Sequence, residues 1–488
     1  MEELKDTSIH KMASKLINAI KSLNNYTDLF RNVQKLACNP TVDKNNMRHS
    51  LEEAIRESGL ETEIRNLIFQ LIRTNLKIDR LYDTDPTQPQ PQVDPLVYLR
   101  RAGAQWDRRV RKSLHTMCAE LKVYAQGQPR ASSDRDELIT KWDELSNYAI
   151  GIDHFTTNKD TKIYENLACY RPVYAPKDLL DVLLQIPKWE FSHIPLTVKN
   201  LGELRTHYND LMREETYYSV WDLNSQCELI TLIFVLFRFL LTSIPRKGID
   251  YWNKLKGNVL STDHIVDKLV FKDIQLTASN DDQYFVFEDV LYQIMLCFSR
   301  DMQIAQMVIG DNYHQKPKTY EAPPSGVVPF HGICMFAAPF CYLFDSPIHL
   351  YYSFRAFYVR YCHRLTTINT HPQGIVSICL LFEKLLQSHE PKLWSHFREL
   401  QIHPIRVVFK WLMRAFSGHL PPDQLLVLWD LILGFDSLEI LSVFAIIILS
   451  FRKESILQVG TLESIDAILA DLSSIKVIPL IKLALSGD

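Results

Sequence analysis

The sequence predicts an all-α protein, and three observations predict it. Apolar residues recur at three- and four-residue intervals along much of the 488-residue chain, the period of one helix face. Glycine is scarce, at 15 residues, which disfavours turn-dense β architecture. Hydrophobic residues reach 47% against 23% charged, enough for more than one packed core and against wholesale disorder. A chain of this length is expected to hold two or three domains.

Taken in order, residues 1–82 read as an N-terminal helical region. Ile9, Ala13, Leu16, Ile17 and Ile20 share one helical face, and Ile64, Leu67, Ile68, Leu71 and Ile72 share another. Residues 83–95 carry Pro86, Pro89, Pro91 and Pro95 among glutamines; prolines at that density cannot continue a helix, so the tract reads as an extended linker. Residues 96–228 form a helical region and connector. Leu96, Leu99, Trp106, Val110 and Leu114 mark its first helix, which a polar loop from Gly127 to Asp134 closes off. The interleaved cations Arg100, Arg101, Arg108, Arg109, Arg111 and Lys112 read as a solvated helix face. Pro172, Pro176, Pro187 and Pro195 suggest an irregular connector around a short helix.

Residues 229–488 form the last domain. It opens with an apolar run, Leu229 to Ile244, interrupted by Arg238. At 16 residues the run is shorter than the roughly 20 needed to cross a bilayer, so no integral span is expected. Further on, Phe287, Leu291, Ile294 and Phe298 keep helical spacing. Val407, Val408, Trp411, Leu412, Ala415 and Phe416 read as one stripe, and Leu425, Leu428, Trp429 and Ile432 as another. Asp436 with Glu439 resembles a capping box opening the apolar helix Ile440 to Phe451.

Fifty-four basic and 57 acidic side chains leave a net charge of −3, with no electrostatic footprint for nucleic acid. The nine cysteines form no Cys-x-x-Cys and read as free thiols of a reducing, cytoplasmic setting. No phosphate-binding glycine loop, hydrolase elbow or His-Glu-x-x-His is present. Neither metal nor cofactor is expected, and the residues alone name no reaction.

Ordered blocks in the C-terminal half resemble the TBC domain, the all-helical module of Rab GTPase-activating proteins. They are Val270-Phe271-Lys272-Asp273-Ile274-Gln275-Leu276-Thr277, then Pro329-Phe330-His331-Gly332-Ile333 with Ala337-Ala338-Pro339, then Ala356-Phe357. Trp411-Leu412-Met413-Arg414-Ala415-Phe416-Ser417, Leu420-Pro421 and Leu428-Trp429-Asp430 follow. Leu96-Val97-Tyr98, Arg171 to Asp178 and Thr277 to Asp282 carry the resemblance over most of the chain. The family's opening block does not align with 229–244.

The resemblance implies an all-α fold of a helical N-terminal region and a TBC-type domain, with a Rab small GTPase as partner and any membrane recruitment made through it. It also implies a two-finger mechanism, in which an arginine neutralises transition-state charge and a glutamine orients the attacking water. Here the arginine position falls on Leu276 and the glutamine position on His331. Lys272, Asp273, Gln275, Thr277 and Gly332 are the accompanying candidates for the GTPase interface, Asp273 as the group that helps place the finger segment. The expected function is GTPase activation that is weak or absent; the alternative is a non-catalytic Rab-binding scaffold or competitor. A third reading, a helical protein anchored to membrane by 229–244, stands apart from both.

Overall fold

A computed structural model describes residues 97–124, 127–146, 169–185, 199–206, 246–309 and 323–485, with separate short stretches before residue 68. The Pro/Gln tract, the run 229–244 and the stripe positions Ile68, Leu71 and Ile72 lie outside the described residues.

The helices are α1 (Tyr26–Ala37), α2 (Val97–Leu121), α3 (Ser132–Ser146), α4 (Pro176–Leu184), α5 (Arg246–Ser261), α6 (Ile265–Leu276), α7 (Glu288–Arg300) and α8 (Met302–Ile309). After residue 323 come α9 (Pro347–Phe357), α10 (His363–Thr366), α11 (Ile375–His389), α12 (Pro391–Glu399), α13 (Ile405–Met413) and α14 (Pro422–Phe435). The last are α15 (Glu439–Phe451), α16 (Lys453–Ile456), α17 (Leu462–Ile468) and α18 (Val477–Leu485). Among the described residues the only strands are β1 (Gln128–Pro129) and β2 (Thr262–Asp263), paired antiparallel.

The fold is all-α, as the helical period requires. In α2 the buried positions Leu99, Ala102, Trp106, Val110, Leu114 and Met117 form one stripe, while all six cations of the basic cluster are exposed. In α7, Leu291, Ile294 and Phe298 are buried. In α14, Leu425, Leu428, Trp429 and Ile432 are buried, and the Trp429 indole donates to the Ala415 carbonyl at 2.9 Å. The apolar α15 packs along α11. One continuous core joins α2, α3 and α4 to the C-terminal helices, with Trp106, Leu179 and Leu183 sharing it with Phe330 and Trp411. Leu29, Leu60 and Ile64 form a small separate cluster.

The structure corrects three local expectations. The stripe ending at Ala415 and Phe416 is not one helix: α13 stops at Met413, and Ala415 and Phe416 take φ of 47° and 64°. Apolar spacing continues through that turn because both residues still face the core. Asp436 does not open α15 either. It closes α14 in the left-handed conformation, φ 46°, its carboxylate bound by both Arg360 Nε (3.0 Å) and Nη2 (2.8 Å). Finally, the polar loop at 127–134 contains β1 and the buried Arg130, which pairs with Asp267 of α6 at 2.5 Å.

Candidate functional site

Helix α6 runs from a buried N-terminal half to a partly exposed end. Its last residue, Leu276, is 40% exposed, although apolar neighbours such as Ile274 are fully buried. Asp273, one turn earlier, is buried at 2% exposure. A carboxylate near a helix C-terminus opposes the helix dipole, so its partners must lie elsewhere. They are backbone amides of the 330–334 turn: Oδ1 accepts from Gly332 N–H at 2.6 Å and Oδ2 from Cys334 N–H at 3.0 Å. Thr277 adds a second tie. Its hydroxyl donates to the Asp273 carbonyl at 2.7 Å and lies 2.9 Å from Cys334 Sγ.

The turn itself requires Gly332. Its φ is +97°, a conformation that favours glycine, and a β-carbon there would collide with the guanidinium of Arg414. Arg414 Nη2 donates to the His331 carbonyl at 2.8 Å. The His331 amide donates in turn to the Tyr174 carbonyl at 2.9 Å. Asp273, Thr277, His331 and Gly332 are therefore brought together. Leu276 adjoins Thr277 in the chain, which places it beside them. Lys272 and Gln275 are partly exposed on the same helix, and their side chains make no hydrogen bond or ion pair among the described residues; the Gln275 carbonyl accepts from the Asn280 side chain at 2.8 Å.

Burial and the nearby Arg414 charge hold the His331 imidazole below its ordinary value, against an opposing pull from Asp273. Its Nδ1 stands 3.8 Å from Asp273 Oδ1, beyond hydrogen-bond range. Burial pushes Asp273 upward, while the two amides, Cys334 and His331 pull it down. At neutral pH the ring is an uncharged donor and acceptor, able to hold a water but carrying no positive charge. Among the described residues no group of His, Cys, Asp or Glu could hold a metal ion.

Tyr174, Arg414 and Cys334 hold the site without having been singled out for it in the sequence. Arg414 was the one that could have been found, as the lone cation within an apolar block.

His419, close to Arg414, reports on the dielectric beneath this turn. Burial, with Arg414 and Lys410 adding to it, depresses its pKa to about 3, and Nε2 has no hydrogen-bond partner among the described residues. The unfolded chain takes up this proton near pH 6.5 whereas the native ring refuses it, so the contribution is full above 6.5 and is lost as pH falls. Between pH 7 and 5, native stability relative to His419→Leu should fall by about 2 kcal/mol. Urea denaturation of both proteins at the two pH values measures this. A flat difference would show that the imidazole is solvated.

Comparison with known proteins agrees with this architecture. The Rab-GTPase-TBC domain family matches residues 330–457, a span that starts beside His331 and leaves α6 outside. The human TBC1 domain family member 19 is 35% identical across 99% of both chains. A TBC domain-containing protein kinase-like protein of Dictyostelium discoideum is 32% identical over 133 residues, 27% of this chain and 13% of that protein.

Proposed function

The chain belongs to the TBC domain family, and from that premise we propose that it engages a Rab small GTPase through the end of α6 and the His331 turn while accelerating GTP hydrolysis weakly or not at all. The observation that carries this reading is the uncharged, exposed Leu276 at the end of α6. An arginine finger contributes roughly 10³–10⁵ in rate, and leucine offers neither charge nor donor. Arg414 is no substitute, because its guanidinium is engaged in holding the His331 carbonyl and lies under Gly332. Lys272, one helical turn before Leu276, carries a compact ammonium that lacks the guanidinium fork. His331 retains the capacity to orient a water but supplies no electrostatic stabilisation of its own.

The second reading, a non-catalytic Rab-binding scaffold or competitor, is favoured by exposed apolar side chains around the segment after α6. Phe285 and Val286 are largely exposed, as is Tyr342, whose ring packs against Phe287 and Tyr284. Such a face offers contact area without chemistry. Recruitment to a membrane would then follow the GTPase; among the described residues no helix is long and apolar enough to cross one.

A single-turnover hydrolysis screen across GTP-loaded Rab proteins tests the proposal. Acceleration is expected to stay far below about 10³-fold for every member, with at least one binding the full chain. Finger-scale acceleration of any Rab would overturn the weak-activity reading, and binding to none would overturn both.

A further inference from the structure

We propose that Tyr174, far upstream of the family-matched span, is a positioning residue for the His331 turn, so that the N-terminal half of the chain completes the site. The contact begins in the backbone, where the Tyr174 carbonyl accepts the His331 N–H at 2.9 Å. It continues in the side chains. The Tyr174 ring stacks on Phe330 with centroids 5.1 Å apart and meets Trp106 of α2 edge-on at 5.0 Å. Phe330 and Trp106 are both buried, so the three rings form a column from α2 to the residue before His331.

The Tyr174 segment is itself held from both sides. Ser113 of α2 donates its hydroxyl to the Val173 carbonyl at 3.3 Å. The Ala175 amide donates to Asp178 Oδ2 at 2.7 Å, fixing the chain where it enters α4. Helix α4 then packs against α13, the helix that delivers Arg414. The turn is thus clamped by three separate parts of the chain. Asp273 holds the amides of Gly332 and Cys334, Arg414 holds the His331 carbonyl, and Tyr174 holds the His331 amide. Of these three, only the Tyr174 clamp comes from upstream of residue 229. Lost ring stacking would release the carbonyl, and the imidazole would no longer project at a fixed angle.

The inference rests on the reading that this turn faces the GTPase, and its test separates the two. Residue-resolved amide hydrogen exchange is measured on the full-length protein and on Tyr174→Leu, which keeps apolar volume without a ring, and Tyr174→Phe, which keeps the ring. In Tyr174→Leu the His331 amide should exchange at least about ten-fold faster relative to the Gly332 and Cys334 amides of the same molecule, as local opening demands. Tyr174→Phe should keep the wild-type ratio. Global destabilisation would speed all three amides together; that outcome, or an unchanged ratio, would overturn the positioning role. Tyr174→Phe behaving like Tyr174→Leu would also overturn it. A panel of Rab proteins loaded with a non-hydrolysable GTP analogue provides the second arm, with binding expected to weaken several-fold in Tyr174→Leu alone. A raised exchange ratio with Rab binding unaffected would support the clamp and remove the reading that the turn faces the GTPase.

Discussion

Asp267→Ala should cost about 3–5 kcal/mol of stability, the magnitude found when one partner of a buried charge network is removed. The carboxylate is fully buried. Its Oδ1 accepts from Arg300 Nη1 at 2.8 Å, and its Oδ2 from Arg300 Nη2 at 2.8 Å and Arg130 Nη2 at 2.5 Å. Both guanidinium groups are almost fully buried. Burial alone would raise the Asp267 carboxyl, but Arg300 and then Arg130 outweigh it and hold the group below the carboxylate range. Removing it leaves Arg300 without its carboxylate partner and Arg130 with the longer contact to Asp263, at 3.5 Å. Arg130→Met is the instructive contrast, because the bidentate Asp267–Arg300 pair survives and the smaller loss isolates what Arg130 adds. Guanidinium denaturation of both variants decides the point. An Asp267→Ala loss no larger than that of Arg130→Met would mean that water reaches the guanidinium groups. The depressed carboxyl also sets a direction with pH: its contribution is present above the unfolded carboxylate value and is lost as pH falls through the native one.

This network shows what the sequence made legible and what it hid. The helix stripes were readable because burial on one face imposes a 3.6-residue period, and Trp429, Leu428 and Trp411 are buried where that period puts them. Arg130 was not readable. It sits in a polar stretch with Pro129, Ser132 and Ser133, and its partner Asp267 lies 137 residues further on, so no local spacing links them. The end of α13 was hidden for another reason. Ala415 and Phe416 continue an apolar spacing, but the chain turns left-handed there, where the Trp429 indole N–H meets the Ala415 carbonyl. Local propensity would not choose that conformation for a phenylalanine. At the site, Asp273 was identifiable only through resemblance, and the geometry supplies its physical role as acceptor for two turn amides. The Tyr174–His331 hydrogen bond runs between backbone atoms, which carry no residue-specific signal, and the ring contacts behind it join Tyr174 to Trp106 and Phe330, residues far apart in the sequence.

Leu276→Arg combined with His331→Gln should raise single-turnover GTP hydrolysis on a bound Rab by about 10³-fold or more, the scale of an arginine finger. That corresponds to roughly 4 kcal/mol of barrier. The positions tolerate the change. Leu276 is exposed at the end of α6, so an arginine there extends from the surface without entering the core. The His331 ring is partly exposed and its Nδ1 has no hydrogen-bond partner among the described residues, while Asp273, Arg414 and Tyr174 hold the turn through its backbone whatever side chain stands at 331. Most of the gain should come from Leu276→Arg alone, because charge stabilisation in a water-excluded site exceeds water positioning. His331→Gln alone should change the rate little. Affinity for the GTP-bound Rab should barely move, since the restored interaction is made chiefly in the transition state. Hydrolysis rates and binding constants for the two single variants and the double variant check each statement. No gain from the double variant would mean that position 276 does not face the nucleotide. Strong activation by the unmodified protein, insensitive to substitution at His331 and Lys272, would mean that another residue supplies the missing charge.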